Sequence, residues 1–305
     1  MKKLFIIPII LCAVLSVNAQ QLPQFTQFYL NKYVANPAFA GSQPFWEAQL
    51  NTRFQWVGIE DAPRTNILSV NGALNNRKMG LGGYLFSDNV GPTQRSGISA
   101  SYAYHVKLTD ELKLGVGVNA GGLQMAINGQ DITLENSGDA ALSNGTMQVV
   151  TYDAGAGIYL YTDEFWFSFS APQLIGNKLE FFEDYEESLS SLERHYYAGA
   201  GYSFEIADDF KVEPSFFAKY VDPIPPQFDV ALRVIYADMI WAAGSYKLSA
   251  QPNDDNAIGI MLGGMIQENL MFGYSFELPT SDVITQATSG SHEIMIGLRF
   301  KNRDK

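Results

Sequence analysis

Residues 98–119 read ISASYAYHVKLTDELKLGVGVN, and their spacing decides the fold. Ile98, Ala100, Tyr102, Tyr104, Val106 and Leu108 take every second position, with Ser99, Ser101, His105 and Lys107 between them. Beyond Thr109-Asp110, Leu112, Leu114, Val116 and Val118 alternate with Lys113, Gly115, Gly117 and Asn119. A period of two puts the two sets on opposite faces of a strand, whereas a helix would scatter them. Two such strands across an Asp-containing turn make a β-hairpin.

The same alternation recurs along the chain. Phe228, Val230, Leu232, Val234 and Tyr236 oppose Asp229 and Arg233; Leu270, Phe272, Tyr274 and Phe276 share a face; Ile294, Ile296, Leu298 and Phe300 oppose Glu293 and Arg299. Fourteen strands are expected near 46–56, 66–74, 79–87, 96–107, 111–126, 149–161, 165–171, 194–206, 210–220, 227–236, 239–248, 257–266, 270–277 and 291–301. Tight connectors at 75–78, 109–110, 162–164, 207–209, 237–238 and 267–269 interleave with longer ones at 57–65, 88–95, 127–148, 172–193, 221–226, 249–256 and 278–290. That rhythm is expected of an all-β, transmembrane antiparallel β-barrel in an outer membrane, with short periplasmic turns, long external loops and both termini periplasmic. A soluble β-sandwich also alternates. It gives no reason for the alternation of connector lengths, or for Phe165, Phe167 and Phe169 sharing a face beside Trp166.

Composition agrees. The 305 residues include 20 Phe, 16 Tyr and 27 Gly, as many strands with aromatic belts require. No stretch approaches the ~20 consecutive apolar residues of a helical span. A formal net charge of −12 argues against nucleic-acid binding, which needs clustered Lys and Arg.

At the front, Lys2 and Lys3, the apolar run Leu4 to Val17 and the site Val17-Asn18-Ala19 are expected to form a secretory signal over 1–19. Cleavage there removes two lysines, takes the charge to −14, and discards Cys12, the only cysteine. A Cys-free mature chain excludes disulfides and thiolate metal sites. The organisation expected is signal 1–19, an N-terminal periplasmic segment 20–45, and a barrel over 46–305. Residues 20–45 carry aromatics without the strand rhythm, so they need burial, in the periplasmic mouth of the barrel or in a partner.

The inward face of the first and last strands carries Glu47, Gln49, Asn51, Arg53 and Gln55, with Glu293 and Arg299. These strands must pair antiparallel to close the ring, because an open edge in lipid is not viable. Equal spacing then places Glu47 near Arg299 and Arg53 near Glu293, and the 210–236 hairpin places Glu213 near Arg233. These are the expected lumen ion pairs, with unpaired charges in a wet lumen as the competing reading.

Catalytic and metal patterns are missing from the sequence. His105, His195 and His292 lie far apart, with no HExxH pattern. Ser291-His292-Glu293 looks like a nucleophile, base and carboxylate, but neighbours on a strand point to opposite faces. The loop bearing Glu180, Glu183, Asp184, Glu186 and Glu187, with Glu193 beyond it, matches no calcium-loop spacing. It reads as a solvated or partner-binding loop, with Phe181, Phe182 and Tyr185 favouring a partner. His105 is expected in the lumen and His195 at the rim.

Four strings carry a specific resemblance: PQFTQFYLNKYVANPAFAGS (23–42), RFQWVGIEDAPRTNILSVNG (53–72), GLGGYLFSDNVGPTQRSGISASYAYHVKL (80–108) and SHEIMIGLRF (291–300). Together they resemble the PorP/SprF family of outer-membrane proteins; residues 127–193 add little to the match. The resemblance implies a non-enzymatic part in type IX protein secretion and the associated gliding machinery, helping a large secreted protein such as an adhesin to reach or stay on the cell surface. It implies no cofactor. The partners it implies are outer-membrane lipid, the secreted cargo and other secretion components. Its motif positions fall on Gln24, Phe25, Gln27, Asn36, Pro37, Ala38, Ala40 and Gly41, and on Arg53, Trp56, Gly58, Ala62, Pro63 and Thr65. The competing reading of both sets is structural: sealing the barrel and shaping its first long loop. A passive porin or small-molecule transporter is the alternative function that a polar inner face allows.

Overall fold

The computed structural model describes residues 25–74, 77–132, 145–179, 191–250, 256–280 and 282–301. The expected signal, Gln24 and the acidic cluster at Glu180, Glu183, Asp184, Glu186 and Glu187, with Phe181, Phe182 and Tyr185, lie outside these residues.

Fifteen strand segments follow in order: β1 Phe45–Phe54, β2 Arg64–Ala73, β3 Met79–Val90, β4 Thr93–Lys107, β5 Lys113–Asn128, β6 Thr146–Tyr161, β7 Phe165–Ala171, β8 His195–Tyr202, β9 Phe204–Ala207, β10 Phe210–Val221, β11 Ile224–Tyr236, β12 Ile240–Ser249, β13 Ala257–Ile266, β14 Leu270–Pro279 and β15 Ser291–Lys301. β8 and β9 are one strand broken at Ser203, and both pair with β10. Each strand otherwise pairs antiparallel with its neighbours in sequence. The ring closes where β1 meets β15, from Phe45 opposite Lys301 to Phe54 opposite His292. The result is a closed fourteen-strand antiparallel β-barrel.

Alternation sets the two faces. In β1, Glu47, Gln49, Asn51 and Arg53 are buried and Leu50 and Phe54 are exposed. In β15, Glu293 is buried while Ile294, Ile296, Leu298 and Phe300 are exposed. Ile98, Tyr102, Tyr104 and Val106 of β4 likewise point outward, and Ser99, Ser101 and His105 inward. The outer wall is apolar, as a membrane requires, and most polar side chains face the lumen.

Two connectors differ from expectation. The segments expected to loop out at 88–95 and 221–226 are mostly strand, joined across Gly91-Pro92 and Asp222-Pro223. In 88–95, polar residues such as Asp88 and Arg95 at inward positions hide the strand signal, since a charged inner face lowers the apolar contrast on which the reading depends; in 221–226, Pro223, Pro225 and Pro226 hide it, since proline reads as a strand breaker. His195, expected at the rim, is the first residue of β8 at its long-loop end and is buried there, its Nδ1 2.9 Å from the Glu193 carbonyl.

The N-terminal segment packs deeper than the mouth in which burial was one of the two expectations. Its described part, from Phe25 onward, lies inside the barrel, with a short helix α1 (Lys32–Ala35) and a 3-10 turn (Pro37–Phe39). Asn36 is extended, as a residue before proline prefers, and its side chain accepts from the Ala38 N–H, so one Asn-Pro pair ends α1 and starts the turn. Inward glycines make room for this segment. A Cβ on Gly80 would collide with the Ala40 carbonyl, and one on Gly117 with the Ala38 and Pro37 backbone. Gly41, at φ +79°, meets Gly80 where the segment enters β1.

Packing that close predicts a graded response to one methyl group. Gly80→Ala and Gly117→Ala should destabilise the detergent-solubilised barrel by about 1–3 kcal/mol, the usual range for overpacking. Gly244→Ala, where a Cβ meets nothing within 4 Å, should leave it unchanged. Thermal unfolding followed by heat-shifted gel mobility checks this, and equal responses at all three sites would contradict it.

Candidate functional site

Residues 25–41 are held by polar contacts as well as by packing. The Thr26 N–H donates to Glu293 at 2.8 Å and its hydroxyl to Glu277 at 2.8 Å, while Arg53 donates to the same hydroxyl. Arg53 is 2.8 Å from Glu277 and 3.5 Å from Glu293, and Lys247 adds a 3.2 Å contact to Glu277. Arg53 is 3 % exposed and Glu293 is fully enclosed, so these charges are stabilised by one another and not by water.

Further along, the Tyr29 hydroxyl donates to Met261 Sδ at 3.0 Å, and Gln49 donates to the Leu30 carbonyl at 3.1 Å. Asn31 donates to Asn51 at 2.8 Å and to Ser69 at 3.1 Å. The Lys32 ammonium lies 4.1 Å from the Trp166 ring centre, and the Arg233 guanidinium 5.1 Å from that of Tyr29. Tyr33 bonds Ser101 at 2.9 Å, and Asn36 donates to the Ile158 carbonyl and the Ser168 hydroxyl, both at 2.8 Å. Ser170 donates to the Ala35 carbonyl at 2.6 Å, and His105 Nε2 is 2.8 Å from the Ala40 carbonyl. Phe28 stacks on Phe217, and Phe39 meets Tyr159 edge-on. The segment and inward side chains form one continuous core.

The sequence-nominated residues fall into three groups. Gln27, Asn36, Pro37 and Ala38 are buried in this plug, and Phe25, half-buried, begins it. Trp56, Gly58 and Pro63 shape the connector between β1 and β2, where Trp56 and Gly58 take positive φ values of 48° and 106°. The Trp56 N–H reaches Ser291 at 3.1 Å, the Val57 N–H reaches the Gly290 carbonyl at 2.8 Å, and the Gln55 N–H reaches the Pro63 carbonyl at 2.9 Å. This connector is therefore pinned to the one preceding β15, and Thr65 carries a 2.6 Å bond to Asp88, which also pairs with Arg95. The third group holds the charges. Arg299 lies 2.6 Å from Glu47, Arg233 2.5 Å from Glu213, and Arg53 has Glu277 nearer than Glu293.

Thr26, Glu277 and Lys247 were not singled out from the sequence. Phe272, Tyr274 and Phe276 fix Glu277 as an inward residue, so its position was readable. Its link to Thr26, 251 residues away, was not. Ser291 and Glu293 are buried inside while His292 turns the other way, to Tyr274 at 2.7 Å, so no catalytic triad forms there. Among the described residues no cluster of His, Cys, Asp and Glu could hold a metal ion.

A family model described as "Type IX secretion system membrane protein PorP/SprF" matches residues 17–298. Among solved structures, the chain is similar to a Pseudomonas aeruginosa FadL homologue, with TM-score 0.51, 12 % identity, and 93 % of this chain and 96 % of that one covered. It is also similar to the CymD monoaromatic hydrocarbon channel, with TM-score 0.52, 11 % identity, and coverages of 88 % and 91 %. At such identities the likeness concerns the barrel fold. Comparison with curated protein sequences returns no match.

Buried pairs of this kind predict a charge-swap result. Glu213→Arg or Arg233→Glu alone should destabilise the solubilised barrel by roughly 3–5 kcal/mol, because each leaves a buried charge unpaired. The double swap should recover most of the loss, and the same should hold for Glu47 and Arg299. Unfolding midpoints of singles and doubles decide it; doubles as unstable as the worse single would refute the pairing.

Proposed function

This chain belongs to the PorP/SprF family of type IX secretion system membrane proteins, and from that premise we propose that it is a plugged, non-enzymatic barrel subunit that assists a large secreted protein, such as an adhesin, across or onto the outer membrane. Short turns face the periplasm and long loops the exterior, as in other outer-membrane barrels. The loops at 127–148 and 172–193 supply the cargo contact and tie the protein to export and, where present, gliding. Residues 25–41 keep the lumen shut, so cargo is assisted from outside the barrel wall or at its mouth. The N-terminal boundary follows the expected processing after Ala19.

The observation that carries this reading is the filled lumen. Fully buried side chains from the plug (Gln27, Tyr33 and Asn36) and from the wall (Met261, Met295 and Glu293) leave the interior occupied by protein. A passive porin needs an open aqueous path instead, and its support is the polar inner face alone.

Two measurements separate the readings. Purified protein in planar bilayers should show no steady conductance, whereas deletion of residues 25–40 should produce a large, persistent open pore. Loss of the gene should remove one large surface protein while leaving small-solute uptake unchanged. A steady pore from the intact chain, together with impaired uptake and an unchanged surface proteome, would favour the porin.

A further inference from the structure

The plug contacts opposite ends of the barrel at its own two ends. Thr26 touches Arg53, Gly259, Glu277 and Glu293. Each of these lies within two residues of the long-loop end of its strand, namely Phe54 of β1, Ala257 of β13, Pro279 of β14 and Ser291 of β15. Phe25, together with Phe86, Pro172, Tyr197 and Lys219, lines an apolar cavity of about 80 Å³ towards that same end. Ala40 and Gly41 instead meet Gly80 and Ala73, at the short-turn ends of β3 and β2, and Ala40 meets His105, two residues from the short-turn end of β4. Between them Asn31 meets Asn51 and Ser69, Tyr33 meets Gly82 and Ser101, and Ala38 meets Gly117, while the longer Lys32 side chain reaches Trp166 beside the short-turn end of β7.

Chain length permits this crossing. A ten-residue strand such as β1 is ~33 Å long, and a tilt near 40° reduces its span along the barrel axis to ~25 Å. Fifteen steps from Thr26 to Gly41 extend to at most ~50 Å, so the distance is covered even with α1 and the 3-10 turn taking up slack.

From these placements we infer that the polypeptide threads the full length of the lumen before its first strand, so the amino end of the plug opens at the long-loop mouth while the carboxyl end of β15 finishes at the short-turn mouth. The amino-terminal end is thereby the part of the plug that a partner at the long-loop side can reach. The short-turn vestibule, floored by Gly41, Ser42 and His105, is separated from it by the plug. This places the amino end opposite to the periplasmic side expected from counting strands alone, because an even strand number fixes only where Phe45 and Lys301 lie. Which side of the membrane that mouth faces rests on the orientation given under the proposed function.

The test uses intact cells and three marked variants. Glu60→Cys marks the exposed connector between β1 and β2 at the long-loop end, and Asp110→Cys the exposed turn between β4 and β5 at the short-turn end. An epitope inserted after Gln21 marks the amino end. A membrane-impermeant maleimide and an antibody should reach Glu60→Cys and the epitope without permeabilisation, and Asp110→Cys only after it. An epitope that appears with Asp110→Cys overturns the threading while leaving the orientation standing. An epitope and Glu60→Cys that both need permeabilisation overturn the orientation and keep the threading. Should the insertion disturb the plug, paired cysteines give a second reading. Thr26→Cys with Gly259→Cys should form a disulfide, seen as a gel shift that a reductant reverses, and Thr26→Cys with Ala73→Cys should not. The reverse pattern would refute the threading.

Discussion

A ring of fourteen strands encloses more space than its own inward side chains can fill. Eight strands make a barrel that side chains just pack, and the diameter grows with strand number. The interior of this protein therefore had to become either a water channel or a second layer of polypeptide. The buried contacts of residues 25–41 show the second solution. It explains features that otherwise look unrelated: glycines at inward positions of β3 and β5, paired charges towards the long-loop end of the lumen, and five aromatics in a segment with no strand rhythm.

Electrostatics makes the plug specific. An apolar filler would pack, but a polar wall would then lose its hydrogen bonds to water without replacement. Arg53, Glu277 and Glu293 instead converge on a single Thr26, and Asn31, Tyr33 and Asn36 each find a partner on the wall. Groups at this depth are expensive to leave unmade, so the network penalises any other register of the segment. Ion pairs near the lumen wall and the threaded chain are one structure seen from two sides.

Much of the barrel was legible in the sequence because strand alternation depends on the two faces and very little on distant residues. Ile98 to Leu108 declares its outward face without reference to any neighbour. The strand end at Val90 was obscured where polar inward residues replaced the expected contrast, and the start of β11 at Ile224 by the prolines around it. The pairs Glu47–Arg299 and Glu213–Arg233 followed from antiparallel register, a local rule once the ring is assumed. The plug was legible only as a segment needing burial. Its path depends on contacts such as Thr26 with Glu277 and Asn36 with Ser168, which no spacing within 25–41 encodes. The inward parity of Gly80, Gly82, Gly115 and Gly117 was the available signal, since four vacancies on two strands imply something packed against them.

The most direct test of a lumen filled by its own N-terminal segment is hydrogen–deuterium exchange of the detergent-extracted, processed protein. Peptides covering residues 25–41 should exchange as slowly as those from β1 and β15, on a scale of hours, because their amides are enclosed, those of Thr26 and Gln27 are bonded to Glu293 on the wall, and others are bonded within the segment. Exchange of those peptides within seconds, against a protected barrel, would mean the segment is a free tail, and the account of a plugged barrel would be wrong.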